Sequence, residues 1–258
     1  MAARAQRRTT RWDLFSAWFT SGDLGEQGCW AARQVGGMPD VVIDVGAGAG
    51  GICSRVRHVW PDARVVAIEV RGEERKHLER WADDVLICDF RELRPDHPAL
   101  RGKRRLVLGN PPYGPSDDDE PDDLTTQTLR WAFGLLTPLD WIHFLLRKSY
   151  EEGEEASRFF RAEEEGGFSP VADFRIPSRA NFRRGVNGAG KPLSGDFIGH
   201  RWVTWRPGCH RWFWRSATLP LLPASSMSWA TRPGTEPVAG RLYPGFRPRF
   251  PTLEEVVG

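Results

Sequence analysis

From residue 41 to residue 146 the chain alternates short apolar runs with segments of helical spacing. The runs are Val41-Val42-Ile43-Asp44-Val45, Arg64 to Glu69, Val85 to Cys88, residues 104–109 and Trp141 to Leu146. Between them lie Ile52 to Trp60, stopped by Pro61, the charged segment Glu73 to Trp81, and Leu124 to Leu136. Apolar runs with little internal alternation are strands covered on both faces, and interposed helices carry the chain back to the same sheet edge. This pitch therefore predicts an α/β fold built on a doubly wound, mostly parallel sheet. Trp12, Phe15 and Phe19 recur at helical spacing, which adds a helix over Trp12 to Gln34 ahead of the first strand.

The pattern changes beyond the fifth strand. Glu151 to Glu165 reads as a helix. Val171 to Ile176 and His200 to Arg206 are strand-like, with no convincing helix between them, and their connection from Pro177 to Asp196 is rich in Gly and Arg. They are expected to form an antiparallel pair, giving a seven-stranded sheet with an antiparallel last strand. From Leu219 onward seven prolines fall in 40 residues, which argues against further packed structure. The expected organisation is a basic extension at 1–11, one domain at 12–216 and a proline-rich tail at 217–258.

Composition narrows the classes. A 258-residue chain with 40% hydrophobic and 27% charged residues fits a soluble globular protein. No apolar run approaches the ~20 residues of a membrane helix. The arginines near the start have no apolar stretch behind them, so no secretory signal is expected. Cys29, Cys53, Cys88 and Cys209 are scattered, with no CxxC pair, so neither a disulfide framework nor a metal site is expected. A cytoplasmic setting follows from that usage. Net charge is only +2, yet it is unevenly spread. Residues 1–11 hold Arg4, Arg7, Arg8 and Arg11 and no acid; Arg175 to Phe250 hold thirteen Lys/Arg against Asp196 and Glu236. Tryptophans 202, 205, 212, 214 and 229 interleave with those arginines. Such a mixture suits a polyanion with exposed bases, although tryptophans in a core beside a solvated surface would read alike.

Two motifs carry chemistry. Asp44-Val45-Gly46-Ala47-Gly48-Ala49-Gly50-Gly51 joins the first strand to the first following helix, and glycines there let backbone approach a ligand at positive φ. An NAD-binding turn would look similar. Acids stand at three successive strand ends: Asp44 before the turn, Glu69 after the second strand and Asp89 after the third, with Phe90 beside it. They suit S-adenosylmethionine: Asp44 for the methionine ammonium, Glu69 for both ribose hydroxyls, Asp89 for the adenine amino group and Phe90 for the ring. Each acid alone reads equally as a solvated strand end. The second motif is Asn110-Pro111-Pro112-Tyr113 at the end of the fourth strand. Consecutive prolines exclude helix and continued pairing, leaving an amide, a stiff carbonyl and a ring that suit a planar amino group. A plain proline turn is the alternative.

Together these motifs resemble class I S-adenosylmethionine-dependent methyltransferases that methylate an exocyclic or amide nitrogen, over about Val41 to Trp205. Phe144 to Glu151, Pro177 to Phe182 and Gly195 to Trp205 look more loosely like the second half of the sheet in phage-type DNA adenine-N6 methyltransferases. The resemblance implies in-line methyl transfer with no metal and no dedicated base. Asn110 and Pro111 would accept the two N–H hydrogens, Pro112 would stiffen the turn, and Tyr113 would stack openly on the target plane. Gly46 and Gly48 would cradle the cofactor. Arg179, Arg183 and Arg184 would hold phosphates while Phe182 packs on an extruded base, or plugs the space between strands. Phe19 and Thr20 would close over the methionine end, although Phe19 reads more readily as core packing. The implied partner is nucleic acid, DNA first, with an RNA base amino group or a protein glutamine as alternative substrates and a catalytically silent nucleic-acid-binding module of the same fold as the non-enzymatic alternative. Asp117 to Asp123 departs from that pattern, because an acidic run repels a phosphate backbone.

Overall fold

A computed structural model describes residues 20–113, 123–152, 170–177, 199–207 and 215–219. Where one helix was expected over Trp12 to Gln34, the described residues show a helix, α1 (Gly22–Gly36), that begins at an extended Ser21; residues 12–19 lie outside the described residues. Ser21 caps it, accepting from the Leu24 N–H at 3.3 Å. The strands are β1 (Val41–Val45), β2 (Arg64–Glu69), β3 (Asp84–Ile87), β4 (Arg105–Gly109), β5 (Trp141–Arg147), β6 (Pro170–Arg175), β7 (His200–Trp205) and β8 (Arg215–Thr218). The helices after α1 are α2 (Cys53–Val59), α3 (Arg75–Leu78) and α4 (Leu124–Leu135). Within Glu73 to Trp81 only four residues are α-helical, after a 3-10 turn at Gly72–Glu74. Leu78 is the buried anchor of that short helix, and so small a helix has little stability of its own.

The sheet order is β3-β2-β1-β4-β5-β7-β6-β8. β1 pairs in parallel with β2 and β4, β2 with β3, and β4 with β5. β7 runs antiparallel to both β5 and β6. All seven expected strands are present, with the seventh reversed. An eighth, short strand pairs in parallel with β6. It crosses position 216, where the sequence reading ended the domain, and Leu219 beyond it is buried.

The apolar runs alternate sides as they cross the core. Val42, Leu106, Leu108, Trp141 and Leu145 face one layer, with residues of α1 and α2. Val41, Ile43, Val45, Val107 and Phe144 face the other, with Leu129, Ala132 and Leu135 of α4. Helices thus cover both faces, which is why these strands carry no polar face. His143, between β5 and β7, is fully buried; its Nδ1 lies 2.7 Å from Thr204 Oγ1 and its ring stacks on Trp202 at 5.1 Å. Burial holds its pKa down to about 3, so the ring is neutral. The strand order reverses between β1 and β4, and a crevice opens there at the C-terminal strand ends. Among the described residues no helix is long and apolar enough to cross a membrane.

Candidate active site

The crevice holds a cleft whose walls include Gly46, Glu69, Asp89, Phe90 and residues 110–113. Its floor is the glycine turn after β1. Gly46, Gly48 and Gly50 have φ of 70°, 57° and 82°, values costly for any residue with a Cβ. The N–H groups of Gly46 and Ala47 both donate to the Ile68 carbonyl at 3.0 Å, so the turn is pinned onto β2. A Cβ built on Gly46 would stand 3.4 Å from the Asn110 carbonyl oxygen and 3.7 Å from Pro112 Cδ. Turn and proline motif therefore face each other at van der Waals range, and the missing side chain leaves the gap between them open.

Glu69, 3% exposed, is tied to both the turn and its own strand end. Its Oε2 accepts from the Gly48 N–H at 2.7 Å and from Arg71 Nη2 at 3.3 Å. Its Oε1 accepts from the Arg71 N–H at 3.0 Å and from Arg71 Nε at 2.8 Å. Asp89 caps the 3-10 turn Phe90–Glu92 and grips Arg91: its Oδ1 accepts from the Arg91 N–H at 2.9 Å, and its Oδ2 from Nη2 at 2.6 Å and Nε at 3.0 Å. Burial alone would raise this carboxyl, but the Arg91 hydrogen bonds and charge outweigh it and hold the pKa below the ordinary value. Phe90 is buried and meets Trp131 edge-on at 5.8 Å.

Asp44 sits beneath the turn, wholly buried and behind the cleft wall. Its Oδ2 accepts from the Cys53 thiol at 3.1 Å, while Oδ1 finds no hydrogen-bond partner among the described residues. Burial, reinforced by the nearby Glu69 charge against a lowering bond from Cys53, lifts its pKa to about 7.

The residues after β4 form the opposite wall. Asn110 is 6% exposed and Tyr113 only 5%. The Tyr113 hydroxyl lies 2.8 Å from Asn110 Oδ1 and 2.6 Å from the Leu145 carbonyl, two acceptors for one O–H. The phenol thereby braces the Asn110 amide against the end of β5. The open stacking plane expected of Tyr113 is absent. β5 extends one residue past its expected end, and the guanidinium of that residue, Arg147, lies over the ring at 4.4 Å. His200 meets the ring edge-on at 6.3 Å. The Pro112 carbonyl accepts from Thr125 Oγ1 at 2.9 Å, binding the motif to the start of α4, where Asp123 caps through the Thr126 N–H at 2.8 Å.

The structure thus gathers Gly46, Glu69, Asp89, Phe90, Asn110, Pro111, Pro112 and Tyr113 around one cleft. Gly48 joins it through Glu69, and Thr20 is buried. Arg179, Phe182, Arg183, Arg184 and Phe19 lie outside the described residues, as does the acidic run apart from Asp123. The sequence reading missed Arg71, Arg91 and Arg147. For the first two a signal was there: Glu69-Val70-Arg71 and Asp89-Phe90-Arg91 repeat acid-x-arginine at successive strand ends.

The donor set fits an adenosyl cofactor. A glycine gap, a buried carboxylate at the second strand end, a carboxylate with an adjacent ring at the third and an amide wall all face one space. No protein-family model and no curated protein matches the chain. Solved structures do. A Listeria monocytogenes protein provisionally described as a class I S-adenosylmethionine-dependent methyltransferase aligns with a TM-score of 0.57 at 11% identity, over 79% of this chain and 66% of that one. A Pyrococcus horikoshii protein provisionally described as an RNA methyltransferase aligns at 0.49 and 19% identity, over 71% and 83%. The M protein of the type I restriction enzyme EcoKI aligns at 0.49 and 13%, over 75% and 44%. The Listeria alignment shows that the fold is the Rossmann-like fold of class I methyltransferases.

Proposed function

We propose that this chain is an S-adenosylmethionine-dependent methyltransferase acting on a planar amino nitrogen, and that the nitrogen is adenine N6 of DNA. The observation that carries the reading is the apposition of Gly46 and the Asn110-Pro111 backbone across one narrow gap, with Glu69 and Asp89 on the same cleft. The cofactor supplies an electrophilic methyl group on a sulfonium. Glu69 and Asp89 offer acceptors to the ribose hydroxyls and the adenine amino group, and Phe90 offers an apolar face to the ring. The Asn110 side-chain oxygen and the Pro111 carbonyl would accept the two N–H bonds of the target. Accepting both turns the nitrogen lone pair toward the methyl donor and stabilises the positive charge that develops on nitrogen. The Tyr113 hydroxyl, 2.8 Å from Asn110 Oδ1, acts through Asn110 by holding its side chain in place. Arginine-rich sequence at 179–191 supports a nucleobase over a protein amide.

The test is transfer of a labelled methyl group from S-adenosylmethionine to DNA, RNA and protein, by the wild type and by Asn110→Ala. Label in N6-methyladenine of DNA is expected, with turnover in the variant down by at least about 10²-fold and cofactor affinity kept. Label appearing only in RNA or protein would move the substrate assignment. Turnover unchanged in Asn110→Ala would overturn the role given to the proline motif.

A further inference from the structure

The two carboxylates that face the nucleoside end of the cleft are occupied by arginine: Glu69 has its acceptor sites filled, and Asp89 has most of them taken. A carboxylate offers about four lone-pair sites. Glu69 already takes four hydrogen bonds, three of them from Arg71 at 2.8, 3.0 and 3.3 Å. Among the described residues Asp89 takes its contacts from three donors of Arg91: the N–H at 2.9 Å, Nη2 at 2.6 Å, and Nε shared between both oxygens at 3.1 and 3.0 Å. In both cases the donor lies two residues downstream of the acid, at the end of a neighbouring strand, and both guanidiniums line the same cleft. These are charge-assisted bonds at partly buried groups, with side-chain exposures of 21% for Arg71 and 34% for Arg91. Solvent screens them only in part.

We infer that Arg71 and Arg91 are internal competitors for the ribose and adenine subsites, and that they set the affinity for adenosyl ligands. The inference rests on the cofactor reading proposed above. Ribose hydroxyls can donate to Glu69 only where the Arg71 side chain gives up lone pairs, and the adenine amino group stands in the same relation to Arg91 and Asp89. Apparent affinity is then the intrinsic affinity reduced by the fraction of molecules in which the arginine has swung aside. The backbone N–H of each arginine stays on its carboxylate throughout, so the acid keeps its aim while its side-chain partner leaves. The outward swing also carries a positive charge from the cofactor wall to the cleft rim.

The experiment is calorimetric titration with S-adenosylhomocysteine, which lacks the sulfonium charge and so removes simple charge repulsion as an explanation. It uses the full chain, Arg71→Ala, Arg71→Lys, Arg91→Ala and the double alanine variant. Each alanine change is expected to tighten binding, and displacement of a side chain bonded nine times in ten corresponds to about tenfold. Because the arginines act on different carboxylates, their effects should multiply in the double variant. Arg71→Lys, which keeps the charge but not the fork, should also bind more tightly than wild type. Should a variant fold poorly, ¹⁵N spectra of the wild-type arginine Nε–H groups give the same answer: both signals are expected to lose their protection from solvent exchange on saturation. Affinity that is unchanged or weaker in the variants, or Nε–H protection that survives saturation, overturns the inference while leaving the cofactor reading intact. Absence of binding by the wild type and every variant overturns both.

Discussion

Asp44 shows how a residue of the glycine-turn motif can be read correctly as a position and differently as a role. The sequence marks it because an acid before a glycine turn at a strand end is a local pattern. Its thiol partner, Cys53, comes from the helix beyond the turn and gives no local signal. Its titration has a definite sign. The folded pKa of about 7 stands above the ordinary value of 3.8, so between those values the native chain holds a proton that the unfolded chain has released. Stability from this group is full below the lower value and is lost as pH rises through the upper one. Asp44→Asn keeps the shape and cannot ionise. The stability of the variant relative to wild type, measured by urea unfolding, should grow from about pH 4 to about pH 7 and then level off, by on the order of a few kcal/mol. A difference that does not change with pH would show that the carboxyl is not protonated in the native state. The proline motif was legible for the same local reason, since two prolines dictate their own backbone. The burial of Tyr113 was not, because it depends on a side chain at the end of β5.

At the level of elements, strands were easier to place than helices. β1 and β2 coincide with their apolar runs because both of their faces are buried, so every residue carries the signal. α1 shows the opposite case. Its contact with the sheet depends on residues with no side chain: a Cβ at Gly28 would overlap the Trp202 ring, and one at Gly36 the Trp141 ring. Glycine inside a helix costs about 1 kcal/mol in propensity, which weakens any sequence reading of that segment, and here it allows helix and sheet to approach. Gly28→Ala sets these effects against each other. Trp202 is fully buried and stacked on His143, so it has no room to yield. Overpacking should win by about 1–3 kcal/mol, seen as a melting temperature several degrees lower. A gain in melting temperature would mean that the ring moves freely.

At the level of the molecule, a doubly wound, mostly parallel sheet was legible from alternation alone, whereas the strand order and the switch between β1 and β4 that places the cleft are set by long-range pairing that no local pattern reports. The eighth strand was not legible either: Arg215–Thr218 is four residues long in a proline- and arginine-rich context. It nonetheless pairs with β6, and the Leu219 N–H donates to the Arg175 carbonyl at 2.9 Å. A chain ending at Trp214 should therefore melt several degrees below one ending at Leu219, since burying one leucine contributes about 2 kcal/mol before any pairing is counted. Equal melting temperatures would show that β8 adds nothing to the sheet.

The reversed seventh strand has one more effect. β6 finishes at Arg175 and β7 starts at His200, paired with Arg147, so the chain leaves and re-enters the sheet on the edge where β4 delivers Asn110. The connection between them can lengthen, shorten or change composition without altering any strand that carries the glycine turn, Glu69 or Asp89. On the proposed reading, the acceptor side of the cleft can therefore be rebuilt while the cofactor side stays as it is.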